Sequence, residues 1–145
     1  MDFINRVAPE LKQGAAELPP FHLPGDLDSA RQNIQLPAVK SEFVHITERY
    51  LSVADSNKML VRIYEPAQRN GKALPALLWT HGGGYVLGHP SGDDELCESF
   101  VIAANCVVVS PDYRLAPEHP FPAAIEDSYT ALVWLADINN DLNVD

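Results

Sequence analysis

The sequence predicts an α/β fold: a mixed, mostly parallel sheet with helices on both faces, opened by an antiparallel hairpin. Three observations carry that expectation. Leu74 to Thr80 and Cys106 to Ser110 are short apolar runs of the kind found in strands buried on both faces of a parallel sheet. A helical pattern separates them, with Leu96, Phe100, Ala103 and Ala104 at i, i+4, i+7 and i+8, so the three segments read as a βαβ unit. Ahead of them two stretches alternate apolar and polar residues, the period of half-buried strands.

In chain order, residues 2 to 18 place Ile4, Val7, Leu11, Ala15 and Leu18 on one stripe, an amphipathic helix that Pro9 should kink or divide. A proline-rich loop runs from Pro19 to Pro24. Asp26 can cap a second helix carrying Leu27, Ala30 and Ile34, which Pro37 ends. Phe43 to Ser52 and Lys58 to Glu65 are the alternating strands, and Ala54-Asp55-Ser56-Asn57 between them is a turn. After the first apolar strand, Ser91-Gly92-Asp93-Asp94 resembles a capping box and starts the next helix. Phe121-Pro122 begins the last helix with proline in its first turn. Its expected buried face is Ile125, Tyr129, Leu132, Val133 and Ala136, and it should fade near Asn139-Asn140. No repeat, low-complexity tract or linker divides the chain.

Length and composition suit one domain: 145 residues, 46% of them hydrophobic. Ten basic and twenty acidic residues give a net charge of −10, which opposes phosphate backbones and anionic lipid, so no nucleic-acid partner is expected. The first residues lack a basic and apolar leader pattern, and no stretch approaches the ~20 apolar residues of a membrane span. A cytoplasmic protein is the expectation. Cys97 and Cys106 form neither a disulfide framework nor metal spacing, and Glu98 beside Cys97 does not favour a thiolate.

The residues that carry chemistry are His81-Gly82-Gly83-Gly84, at the end of the apolar run Ala76-Leu77-Leu78-Trp79 and before Tyr85-Val86-Leu87-Gly88. Glycines without Cβ atoms can adopt φ > 0 and turn their N–H groups onto a bound group at close range, so this loop can hold a developing oxyanion. Phosphate readings of the same glycines fail. The dinucleotide fingerprint from Gly82 meets Leu87 where glycine is needed, and a Walker reading from Gly83 to Gly88 meets His89-Pro90. His22, His45, His89 and His119 have no metal-ligand spacing, so neither metal nor cofactor is expected. Asp93, Asp94 and Glu95 read as a solvated helix start, favoured there by the helix dipole.

A second stretch, Asp112-Tyr113-Arg114-Leu115-Ala116-Pro117-Glu118-His119-Pro120-Phe121-Pro122-Ala123-Ala124, follows the strand Val107-Val108-Val109. In this order the two motifs resemble the hormone-sensitive-lipase-like family of α/β-hydrolase esterases, over most of residues 40 to 138. The resemblance implies an α/β-hydrolase fold and hydrolysis of a small-molecule ester. It implies Gly83 and Gly84 as oxyanion-hole donors, with His81, Gly82 and Tyr85 supporting them. Asp112, Tyr113, Arg114 and Glu118 become a structural corner, in which Arg114 pairs with a carboxylate and Tyr113 packs near the pocket. Residues 1–40 become a helical cap segment and residues 41–145 the N-terminal half of the core.

The family's nucleophile is a serine in G-x-S-x-G, and none of the eight serines has glycines at −2 and +2. The expectation is a chain cut before the nucleophile elbow, with serine, acid and histidine elsewhere. The sheet would be half built, and the outer edge of strand 74–80 open to self-association or a complementing fragment. Two alternatives stay open: a ligand-binding protein like the plant gibberellin receptors, which share this architecture, and an inactive product of a truncated gene.

Overall fold

The alternation of the first two strands is realised as a hairpin of β1 (Val44–Ser52) and β2 (Lys58–Pro66), paired antiparallel from Val44 opposite Pro66 to Ser52 opposite Lys58. This is a computed structural model that describes residues 3–17, 27–32, 41–54, 57–137 and 141–145. The two apolar runs become β3 (Ala76–Leu78) and β4 (Val107–Pro111), which are parallel, with Ala76 opposite Val107 and Leu78 opposite Val109. The sheet order is β1-β2-β4-β3, and β2 and β4 run antiparallel. The fold is thus α/β, with a mixed four-stranded sheet.

The central strand β4 explains why an unbroken apolar run was needed. Val107 and Val109 enter one core with Val61, Ile63, Ala131, Leu135 and Leu142, whereas Val108 enters another with Val44, Tyr64, Cys97 and Val101. Successive strand side chains point to opposite faces. Helix α3 (Asp94–Ala104; the short helices Lys12–Glu17 and Leu27–Gln32 being α1 and α2) therefore covers one face and α4 (Ala123–Ala136) the other. At ~1.5–3 kcal/mol for a buried valine or isoleucine, these two layers supply the main stabilisation.

Both helices lie rotated from the faces the sequence suggested. Helix α3 buries Asp94, Cys97 and Val101, leaving Leu96 and Ala103 exposed. Helix α4 buries Ala123, Asp127, Ala131 and Leu135, and its stripe of Ile125, Tyr129, Leu132 and Val133 is exposed. Buried carboxylates set both orientations. Asp94 accepts from Arg62 Nε (3.1 Å) and Nη2 (2.8 Å) and from Tyr64 Oη (2.8 Å), pinning α3 to β2. Arg62 also reaches Glu48 on β1. Asp127 accepts from the Arg114 side chain at 2.8 and 2.9 Å and from the Arg114 N–H at 3.0 Å, pinning α4 to the loop after β4. An unpaired buried carboxylate is too costly to leave, so the ion pairs outrank the larger apolar stripe.

Two further expectations change, and that of the second helix holds over its described residues. Residues 3–17 are two 3₁₀ turns, Phe3–Arg6 and Pro9–Leu11, followed by α1, and Leu11 is exposed rather than facing a core. Proline at the first position of the second turn divides the stripe. In α2, Leu27 and Ala30 are buried, while Asp26 and Ile34 lie outside the described residues. In place of a Ser91 capping box, a 3₁₀ turn (Pro90–Asp93) leads into α3; His89 caps that turn, its Nδ1 accepting the Ser91 N–H, and Asp93 at the N-cap of α3 makes no side-chain cap bond.

The outer edge of β3 is not wholly open. Leu74 bridges Val144 in parallel: its N–H donates to Asn143 O, and the Asp145 N–H donates to Leu74 O. Arg69 holds this segment by donating to Leu142 O and Asn143 O, and Arg49 pairs with Asp141. Beyond Leu74, no strand among the described residues pairs with that edge.

Candidate active site

Parallel neighbours end at the same edge of a sheet, so the glycine loop after β3 and the corner after β4 emerge side by side, where open α/β sheets carry their sites. Hydrogen bonds join them. The Tyr113 hydroxyl donates to His81 O at 2.7 Å, and the Ala116 N–H donates to Tyr85 O at 2.8 Å. The Tyr113 ring lies flat on the His81 imidazole, centroids 4.2 Å apart.

Within the loop the glycines differ in what holds them. Gly83 has φ +129° and Gly84 φ +61°, and Gly83 O accepts the N–H groups of Val86 (3.2 Å) and Leu87 (3.0 Å) in a tight turn. A Cβ on Gly83 would stand 2.1 Å from Leu87 O, whereas one on Gly84 would meet open space. Gly82 needs neither a positive φ nor the missing Cβ. Gly88, absent from the expected site, is as constrained as Gly83: a Cβ there would stand 2.2 Å from His81 Nδ1 and 2.3 Å from Gly82 O. Tyr85 carries φ +65°, a left-handed conformation costly for a bulky residue.

Gly83 and Gly84 are exposed, and their N–H groups have no acceptor among the described residues. They border a cavity of ≈ 550 Å³ whose other wall is the exposed stripe of α4, including Ile125, Tyr129 and Leu132. Donors at the rim of an apolar cleft can stabilise a negative oxygen, because water competes poorly there.

His81 is 5% exposed. Its Nδ1 lies 2.9 Å from Gly82 O, the contact of a neutral ring donating through Nδ1, and its Nε2 is buried with no partner among the described residues. Burial pushes its pKa below the usual histidine value, holding the ring neutral. His81 therefore packs the loop from beneath, wedged between Tyr113 and Gly88.

One constellation imitates a triad. Ser91 Oγ lies 2.7 Å from His89 Nδ1, and His89 Nε2 lies 3.9 Å from Asp112 Oδ2. Ser91 is buried, its own N–H shares the same Nδ1, and 3.9 Å exceeds a hydrogen bond. The group caps a 3₁₀ turn (Pro90–Asp93). The carboxylates that sequence assigned to a solvated helix start are also engaged: Asp93 accepts Trp79 Nε1–H at 2.8 Å and Asp94 is buried on Arg62. Sequence spacing hides these partners. Arg114 takes its carboxylate from Asp127, and Glu118 pairs with Arg31. Cys97 is a buried thiol pushed up to about 12 by desolvation, the opposite of activation. Among the described residues no three His, Cys, Asp or Glu side chains converge as a metal would require, and no helix is long and apolar enough to cross a membrane.

A family model described as alpha/beta hydrolase fold matches residues 77–145. Esterase LipI of Mycobacterium tuberculosis is 38% identical over 133 residues, covering 87% of this chain and 41% of that protein. The solved hyperthermophilic esterase from the archaeon Pyrobaculum calidifontis superposes with a TM-score of 0.77 at 34% identity, over 96% of this chain and 46% of that one. A bacterial heroin esterase superposes with a TM-score of 0.79 at 26% identity, over 99% of this chain and 47% of that one. The chain thus spans less than half the length of these relatives.

Proposed function

The chain belongs to the hormone-sensitive-lipase-like family of α/β hydrolases, and on that premise we propose that its glycine loop is the oxyanion-binding part of a carboxylic-ester hydrolase. In this reading the nucleophilic serine, its acid and its histidine come from residues outside this chain. One observation carries it: Gly83 and Gly84 are exposed, held at positive φ, line an apolar cleft, and have N–H groups with no acceptor among the described residues. When a serine oxygen adds to an ester carbonyl, the carbonyl oxygen takes up negative charge. Fixed backbone donors meet that charge without reorganising, each worth ~3–4 kcal/mol in comparable sites. Residues 1–40 serve in this reading as the cap segment that the family resemblance implies, and His81, Gly82 and Tyr85 hold the loop's shape. The matched proteins named as esterases support this reading.

Turnover of p-nitrophenyl acetate and butyrate tests it. The isolated chain should show none above background, since donors without a nucleophile leave acyl transfer without covalent catalysis. Saturable turnover by this chain that disappears in Gly83→Val would place the nucleophile inside residues 1–145 and overturn the division of labour.

A further inference from the structure

Arg31 lies on the six-residue helix α2, distant in sequence from both motifs, yet its guanidinium touches both loops of the site. Nε donates to Val86 O at 2.9 Å, within the turn closed on Gly83. Nη2 donates to Ala116 O at 2.8 Å, on the residue whose N–H holds Tyr85 O. Nη1 and Nη2 also clasp Glu118 at 2.8 and 3.0 Å. We propose that Arg31 is a positioning residue, a latch through which the N-terminal arm fixes the glycine loop against the corner after β4 and so sets the direction of the Gly83 and Gly84 N–H groups.

Chemistry and topology both support the latch. Among the described residues the glycine turn and the corner share the Tyr85–Ala116 backbone bond and the Tyr113–His81 contacts, and the latter act at the base of the loop. The far side of the turn, at Val86, is held to the corner by Arg31. Three acceptors on two segments, Val86 O on the loop and Ala116 O and the Glu118 carboxylate on the corner, need donors fanned in one plane, which guanidinium provides and an ammonium does not. The side chain is partly buried, and Leu27 and Ala30 of α2 are buried beside it in sequence, so the helix presents a seated arginine rather than a free one. Arg31 in turn draws the Glu118 carboxyl down to about 2, so the clasp stays charged through neutral and mildly acidic pH.

For the site, the consequence is that loop geometry depends on the arm. This consequence rests on the oxyanion reading, but the latch does not. Amide exchange needs no substrate, so a failed latch and a failed oxyanion site give different results.

The test is amide exchange and ¹H–¹⁵N shifts in the full chain. In Arg31→Ala, Leu87 and Ala116 should exchange at least about tenfold faster, equivalent to about 1.4 kcal/mol, and the Gly83 and Gly84 amide resonances should move. Val108, in the centre of β4, should not change. Arg31→Lys should fail to restore the parental rates. Leu87 and Ala116 rates within twofold of the parent in Arg31→Ala, or full rescue by lysine, would overturn the proposal. If Arg31→Ala does not fold, Glu118→Ala decides: faster exchange at Ala116 supports the latch, and an unchanged rate refutes it.

Discussion

Alanine substituted in turn at Gly82, Gly71, Gly84 and Gly83 should destabilise the chain in a graded order. At Gly82 a Cβ meets nothing and φ is ordinary, so the change should stay within about 0.5 kcal/mol or stabilise slightly by restricting the unfolded chain. Gly71 and Gly84 have φ of +76° and +61° with open space, so alanine costs only the left-handed conformation, about 1–2 kcal/mol. Gly83 adds a collision, because Cβ would lie 2.1 Å from Leu87 O and 2.4 Å from Leu87 C. Leu87 cannot retreat without losing the bond from its N–H to Gly83 O. Backbone strain of about 1–3 kcal/mol and overpacking of about 1–3 kcal/mol put Gly83→Ala at roughly 2–6 kcal/mol. Urea unfolding of the four variants measures the series. Gly83→Ala as stable as Gly84→Ala would mean that the Leu87 turn is not closed as described, and would refute the account of the loop.

Replacing Arg62 by Met removes the cation paired with the buried Asp94 carboxylate, leaving Tyr64 Oη to donate to it, and should cost about 3–5 kcal/mol, read as a lower urea midpoint. The His81 pKa is depressed by burial, so as pH falls below the ordinary histidine value the unfolded chain binds the proton first and stability drops. That acid-side loss should be absent in His81→Gln, and an identical pH profile for both proteins would count against a buried neutral ring. The β3 edge beyond Leu74 and the exposed α4 stripe, which both border the cleft, should drive self-association despite the charge of −10. Light scattering should show dimers or larger species, and a compact monomer with slow exchange along residues 76 to 80 would contradict this.

What the sequence made legible is local. Alternation placed β1 and β2, and an unbroken apolar run marked β4, because a two-residue period and two-faced burial are written in neighbouring residues. The parallel pairing of β3 and β4 followed from the helix between them, and it brought the glycine loop and the Tyr113 corner together. The faces of α3 and α4 were misread because Asp94 and Asp127 look like surface residues until Arg62 and Arg114 come into view, 32 and 13 residues away. Gly88 and Arg31 were invisible for the same reason: each acts on a partner that only the folded loop supplies.

The central claim is that the Gly83 and Gly84 N–H groups bind the oxyanion, and the most direct measurement is kcat for p-nitrophenyl butyrate in this chain joined to the C-terminal half of a relative. Gly84 has open space around it, so Gly84→Val perturbs the left-handed backbone without a core collision. The account requires kcat to fall by about 10² or more with the melting curve largely retained. Near-parental kcat with the same melting curve would show that the loop is only a turn.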